Sequence, residues 1–322
     1  MSIGNSIGNC RGVDNPEFMQ RFPYAAAAIG YVRKTFLKNS LEFLLESEDD
    51  YVGRLDRTIR VLLKARGGRD DKLEEILDAV LEYTSIFIKE QIIFQRSGRY
   101  RQSSFAEVQE AVYDNRELME NMYLPGLYLT QVFWPIHYHL GKEFRRLMLP
   151  RLENCFDYLE AGVGPGHTLL EVLLACPGIR AAAVDISAHS LEFAGRLLRA
   201  EGVDYDRVRF LQQDLADEFC LEPRASAGTM GEVLEHIEKP DRALINLAES
   251  LFPESPVFIT TVINSSAIDH ITQFTSCQEI DELIANNGFH ILERNTISPN
   301  DFGMDSKKTD TTQIYYGLFQ KY

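Results

Sequence analysis

Positive charge is scarce in this chain. Its 322 residues hold 33 Lys and Arg against 48 Asp and Glu, a formal net charge of -15. A broad nucleic-acid-binding face needs clustered cations against phosphate, so this balance argues against a nucleic-acid partner while leaving room for a local basic pocket. Long apolar runs are missing too. None approaches the roughly 20 residues that span a bilayer. The opening MSIGNSIGNCRG lacks the basic start and apolar core of a signal peptide. A soluble, cytoplasmic protein with no membrane partner is the expectation. Cysteine is sparse and odd in number: Cys10, Cys155, Cys176, Cys220 and Cys277, with no closely spaced pair. That reads as free thiols in a reducing compartment, with neither a disulfide framework nor a zinc knuckle. No metal site is evident.

What remains is ordinary globular composition, 45% hydrophobic and 25% charged, in a chain long enough for two domains. Residues 1–15, rich in Gly, Asn and Ser, read as a flexible terminus. From Glu17 to about Leu149 the pattern is helical. Between Leu73 and Phe94, apolar residues recur at three and four and mark one buried helix face. Gly67 and Gly68 separate that helix from one ending near Arg66, and Asp70 or Asp71 is its expected N-cap. The stretch Tyr123–Leu149 holds the single tryptophan, Trp134, among Tyr and His residues. Pro125-Gly126 and Trp134-Pro135 are expected to break it into short helical pieces.

From Phe156 onward, short apolar strands alternate with helices. Strands are predicted near Phe156–Glu160, Ala181–Asp185, Val208–Gln212, Ala225–Met230, Val257–Val262, His290–Asn295 and Ile314–Phe319. Helices are predicted near Thr168–Ala175, His189–Glu201, Arg242–Leu251 and Cys277–Asn287. The last two strands are read as a terminal hairpin, and the polar interval Ser298–Thr312 as a loop. The fold class is therefore α/β: a Rossmann-like, doubly wound, seven-stranded sheet preceded by an all-α N-terminal domain. The expected division is 1–15 flexible, 16–150 helical and 151–322 Rossmann-like.

The first strand ends in Glu160-Ala161-Gly162-Val163-Gly164-Pro165-Gly166-His167. Glycines let a backbone turn sharply and approach a ligand, and the following helix points its positive end there. A dinucleotide fingerprint, G-x-G-x-x-G/A, does not fit, because the third glycine comes one residue early and His167 takes its place. The stretch LEAGVGPG instead resembles the class I S-adenosylmethionine-dependent methyltransferases, whose first motif is acidic-x-Gly-x-Gly-x-Gly. Further stretches fit in order: VDIS at the end of the second strand, FLQQDLAD after the third, and GEVLEHIEKPDRAL after the fourth, similar to the family's EVLEHI. The resemblance covers roughly Phe156 to Tyr322, about half the chain. One departure is the missing Asp at the start of the fourth strand, RASAGTMGEVLEH.

The resemblance implies S-adenosylmethionine as cofactor, held by Glu160, Gly162, Gly164, Gly166, Asp185, Ile186, Asp214 and Leu215. Asp185, nineteen residues beyond Gly166, would accept from the ribose hydroxyls. Asp214 and Leu215 would meet the adenine. Glu160 would face the methionine amino group through water or sit behind the glycine loop. It also implies methyl transfer by direct displacement to an O, N or C atom of a small-molecule acceptor, with a specialised metabolite favoured. Two other readings stay open: a non-catalytic S-adenosylmethionine-binding protein, and a methyltransferase acting on a carrier-bound or protein substrate. The helical domain is read as a lid, an acceptor-binding domain and a surface for a homodimer.

An acceptor hydroxyl or protonated amine needs a base. The candidates are His236 and Glu232 after the fourth strand, and His270 in the loop after the fifth. Glu232 and Glu235, three apart, would share a helical face. Asp269 is the carboxylate that would orient His270. Tyr128, Trp134, His137 and Tyr138 are expected substrate-binding residues, since the aromatic segment immediately precedes the cofactor domain, and Asp269 is expected to bind substrate with them.

Overall fold

The computed structural model describes residues 15–68, 70–303 and 311–322. The expectation of a flexible terminus falls on residues that, except for Asn15, lie outside that range, as does Cys10. Among the described residues before the first strand, every regular element is helical. These are α1 (Pro16–Arg21), α2 (Pro23–Val32), α3 (Lys38–Ser47), α4 (Tyr51–Ala65), α5 (Leu73–Ser97), α6 (Phe105–Val108), α7 (Arg116–Leu118), α8 (Leu124–Phe133) and α9 (Pro135–Leu147).

The long helix α5 forms where the apolar spacing placed it. Ile76, Leu77, Val80, Thr84 and Phe94 are buried along it, and Gly98, left-handed at φ 68, ends it. Its start differs from expectation. A 3-10 turn, Asp70–Lys72, intervenes, and the N-cap is Lys72 with no side-chain hydrogen bond. The aromatic segment also breaks once rather than twice. Trp134 is extended and Pro135 opens α9, as expected of a residue preceding proline. Pro125, by contrast, sits in the first turn of α8, directly after a π-helical turn, Met119–Tyr123, so it removes no needed donor. Gly126 has a packing reason. A Cβ there would come 2.6 Å from Tyr83 Cβ and 2.8 Å from the Ala79 carbonyl oxygen, so glycine lets α8 cross α5 closely.

The second half is a seven-stranded sheet. Its strands are β1 (Asp157–Ala161), β2 (Arg180–Asp185), β3 (Val208–Gln212), β4 (Ala227–Gly231), β5 (Pro256–Ile263), β6 (Phe289–Ile297) and β7 (Gln313–Lys321). The helices between them are α10 (His167–Ala175), α11 (Ala188–Glu201), α12 (Pro240–Glu249) and α13 (Cys277–Asn286). The order is β3-β2-β1-β4-β5-β7-β6, parallel through β5, with β7 antiparallel to both of its neighbours. The expected terminal hairpin is the β6–β7 pair. The interval before β7 opens with a 3-10 turn, Pro299–Phe302, closed by a Ser298–Asp301 capping box.

Side chains alternate across each strand and feed two cores. Tyr158, Ala181, Ala183 and Phe258 join one hydrophobic cluster with residues of α2, α4, α5, α8 and α9. Leu159, Ala182, Val184 and Ile259 join the other, with α12 and α13. The helical region therefore shares its core with one sheet face. Tyr51, fully buried, donates to the Val132 carbonyl at 2.8 Å and ties α4 to α8. Glu171 of α10 pairs with Arg54 at 2.9 Å and Arg145 at 3.2 Å and fastens α4 and α9 beside the glycine loop.

Candidate active site

The chain leaves β1 outward through β2 to β3, then returns on the other side with β4. A sheet opens a crevice at the carboxyl ends of the strands where its order reverses. A cavity of about 1260 Å³ lies there, walled by the β1–α10 loop on one side and by α5, α8 and α9 on the other.

The loop wall is mostly backbone. Gly162, Gly164 and Gly166 all have positive φ, at 81°, 48° and 81°. A Cβ on Gly162 would lie 2.3 Å from Val233 Cγ2, and one on Gly166 2.6 Å from Ala194 Cβ; at Gly164 nothing lies within 4 Å. The first and third glycines are thus bare so that neighbours can close on them, and the middle one faces open space. Gly164 donates its N–H to Asp185 Oδ2 at 2.9 Å, while Ser187 N–H donates to Oδ1 at 2.9 Å. Each carboxylate oxygen keeps further acceptor capacity for a ligand. Burial pushes Asp185 up to about 6 against the pull of those backbone donors. Glu160 lies deeper, 4% exposed, with the Tyr158 hydroxyl 2.8 Å from its Oε2. Burial pushes it up to about 8.

Glu160, Gly162, Gly164 and Asp185 line the cavity, and so do Ile186, Asp214 and Leu215. Asp214 turns its Oδ1 to the Ala216 N–H at 2.8 Å. Gly166 is the exception. It caps α10 and packs on Ala194, while its neighbours Pro165 and His167 line the cavity.

The opposite wall is side chains. Tyr128, Trp134, His137 and Tyr138 all line the cavity, and polar partners fix three of them. Trp134 Nε1–H donates to Thr84 Oγ1 at 3.0 Å, and Tyr138 O–H to Asp50 at 2.6 Å. Thr130 O–H donates to the Leu127 carbonyl at 2.6 Å, so at the 2.7 Å contact with His137 Nδ1 it can only accept. His137 therefore carries its proton on Nδ1, and its bare Nε2 faces Glu232 Oε1 at 3.8 Å. Burial pushes His137 down to about 4.

Glu232 stands at the end of β4 with φ 52, a conformation that non-glycine residues rarely hold. Its N–H is pinned at 3.0 Å by both the carbonyl and the hydroxyl of Thr260. Burial pushes its carboxyl up to about 7, His236 pulls it down and Asp269 pushes it up. The expected shared helical face with Glu235 does not form, because the following 3-10 turn starts only at Leu234. Both carboxylates still line the cavity.

The pairing of Asp269 is also corrected. Its carboxylate does not orient His270. It lies 3.4 Å from His236 Nδ1, accepts from the Tyr113 hydroxyl at 3.1 Å, and accepts from Tyr123. Burial would raise Asp269, but His236, His270 and the two tyrosines outweigh it and hold the carboxyl below its ordinary value. Burial opposes charge on His236, yet Asp269 and Glu235 raise it overall. His270 turns Nδ1 to the Ser265 carbonyl at 2.9 Å, and burial pushes it down to about 4. The two imidazoles stand edge to face at 4.9 Å. Tyr113, which sequence reasoning missed, sits in a π-helical turn 156 residues from Asp269. No local pattern marks that pairing.

Residues 159–257 match the family described as a methyltransferase domain. The chain carries the class I methyltransferase fold. The matched segment runs from β1 into β5 and contains the glycine loop, Asp185, Asp214 and Glu232. A curated relative from Synechococcus sp., an uncharacterised protein, is 33% identical over 120 residues, 37% of this chain and 28% of that protein's length. The match therefore spans under a third of that relative. Among solved structures, the [4+2]-cyclase SpnF is similar with a TM-score of 0.49 and 16% identity, over 59% of this chain and 82% of that one. The N-methyltransferase NodS from Bradyrhizobium japonicum, in complex with S-adenosyl-L-homocysteine, has a TM-score of 0.48 and 14% identity, over 65% and 97%. No helix among the described residues is long and apolar enough to cross a membrane.

Proposed function

We propose that this protein transfers a methyl group from S-adenosylmethionine to a small-molecule acceptor held between the glycine loop and the helical region. The observation that carries the reading is one continuous cavity whose loop wall presents bare backbone and Asp185 and whose other wall presents aromatic and acidic side chains. At about 1260 Å³ it exceeds the roughly 300–1,000 Å³ of ordinary ligand pockets, which leaves room for cofactor and acceptor together. That size favours an acceptor as large as a specialised metabolite.

S-adenosylmethionine, when bound, supplies a methyl carbon made electrophilic by the adjoining sulfonium. The residues present fit it. The open face of Gly164 admits a ligand where a Cβ would stand, and Asp185 keeps lone pairs for the ribose hydroxyls. The helical wall excludes water and sets the line of attack, which carries much of the rate in a direct displacement. Glu232 takes the acceptor's proton: it is held rigidly at the end of β4, its side chain is 25% exposed within the cavity, and its carboxyl titrates near the working pH. The acceptor is accordingly one whose nucleophilic oxygen or nitrogen must shed a proton.

Titration calorimetry tests the reading. Micromolar binding of S-adenosylmethionine and S-adenosylhomocysteine, with none of NAD, is expected. Folded protein that binds neither sulfur compound overturns it. Binding without turnover across a panel of hydroxylated and amine acceptors favours a non-catalytic binding protein.

A further inference from the structure

Glu235, His236 and His270 meet at the acceptor end of the cavity, brought from the turn after β4 and the loop after β5. One ligand-capable atom of each lies within 4.8 Å of the other two. Donors bonded to a single ion at about 2.0–2.2 Å sit roughly 3–3.5 Å apart, a spacing that small rotamer changes reach from this arrangement.

The hydrogen bonds around the cluster point the same way. His236 Nδ1 lies 3.0 Å from the Asp269 carbonyl oxygen, and His270 Nδ1 lies 2.9 Å from the Ser265 carbonyl oxygen. A carbonyl only accepts, so each Nδ1 carries the proton and each Nε2 lone pair is left over. Histidines that ligate metals have their other ring nitrogen tied to a carbonyl or carboxylate in this way. His236 has both, with the Asp269 carboxylate at 3.4 Å. The third member supplies an independent observation. Glu235 is fully buried; its Oε2 accepts from Thr261 at 2.8 Å, while its Oε1 is buried with no partner. A carboxylate oxygen so placed is costly unless a cation or donor meets it. Among the described residues, no Lys or Arg forms an ion pair with Glu232, Glu235 or Asp269.

We infer that Glu235, His236 and His270 form a binding site for one divalent first-row transition-metal ion. Two imidazoles and one carboxylate suit manganese, iron, cobalt or zinc, whereas magnesium and calcium prefer oxygen donors throughout. Three protein ligands leave coordination positions open towards the cavity, which all three residues line. Metal binding stands on these side chains alone. Its role rests on the methyl-transfer reading: the open positions hold an acceptor oxygen beside Glu232, which narrows the acceptor class to hydroxyl compounds.

Protein stripped with a chelator and titrated with Co²⁺ tests the site, read by visible absorption and calorimetry. One ion per chain is expected, with Glu235→Gln and His270→Ala each weakening binding at least about tenfold. Asp185→Asn should weaken S-adenosylmethionine and leave Co²⁺ unchanged, so failure of the cofactor reading and failure of the metal site are told apart. Circular dichroism checks that the variants fold. Should they not, the melting temperature of wild-type protein with and without Co²⁺, Mn²⁺ or Zn²⁺ decides. Absence of any rise, no Co²⁺ binding by folded wild type, or affinity unchanged in both variants overturns the inference.

Discussion

At the glycine loop, the cavity wall is backbone, folded by residues that stand close together in the sequence. Across from it, at Asp269, the wall is side chains gathered from the segment holding Tyr113, from Tyr123 beside α8, and from the turn holding His236. The first wall needs particular dihedral angles and missing Cβ atoms. The second needs long-range packing to bring acids, imidazoles and phenols into register. Binding of a constant ligand can be encoded by the first means; choice of a variable one falls to the second.

Damage to the loop should be the most severe. Gly162→Ala adds a Cβ 2.3 Å from Val233 at a positive φ and is expected to cost about 2–3 kcal/mol of stability and abolish cofactor binding. Gly164→Ala meets nothing within 4 Å, so it should cost about 1 kcal/mol through backbone strain alone yet still lose the cofactor. Chemical denaturation with calorimetry separates the two. Equal stability losses would remove the distinction between a packing glycine and a ligand-facing one.

On the other wall, Glu232→Gln should lower kcat about 10²-fold and leave S-adenosylmethionine affinity nearly unchanged. In wild type, kcat should rise with pH through about 7, as Glu232 loses its proton; the groups facing it are His137, His236, Asp269 and Glu235. A variant that keeps wild-type turnover, or one that loses cofactor affinity in proportion, removes Glu232 as the base.

A drift of apo-protein stability with pH is expected as well. Burial raises Glu160 to about 8 and Asp185 to about 6, while in the unfolded chain such carboxyls release their protons near pH 4. Between those limits the folded state binds more protons. The stability these groups contribute is complete below about pH 4 and is lost as pH rises through 6 to 8. Melting temperatures at pH 5, 6.5 and 8 should fall more steeply in wild type than in Glu160→Gln. Parallel profiles would show that the loop wall carries no such proton linkage.

The same contrast governs what could be read before folding. All seven strands were expected within a few residues of their places, because alternating apolar residues and glycine punctuation are local signals. The residues of the loop wall were legible for that reason, while the contact of Gly166 with Ala194 depends on how α11 packs. On the helical wall, composition pointed to the right segment but not to its partners. Asp269 was expected to face His270 because they are neighbours in sequence. An irregular loop has no periodicity to fix side-chain direction, and here it sends the carboxylate to His236. The convergence of Glu235, His236 and His270 was illegible for a related reason: its members come from two connections, and only the sheet holds those at one end.

The helical region and one face of the sheet share a single hydrophobic cluster. The Rossmann-like half is therefore not a portable module. Cut free near residue 150, it would present Tyr158, Phe258, Val262 and Tyr316, all now buried, to water, and it would lose the floor on which β1 and β5 rest. Exchanging helical regions between such proteins to change the acceptor would then mean redesigning a core, not swapping a lid.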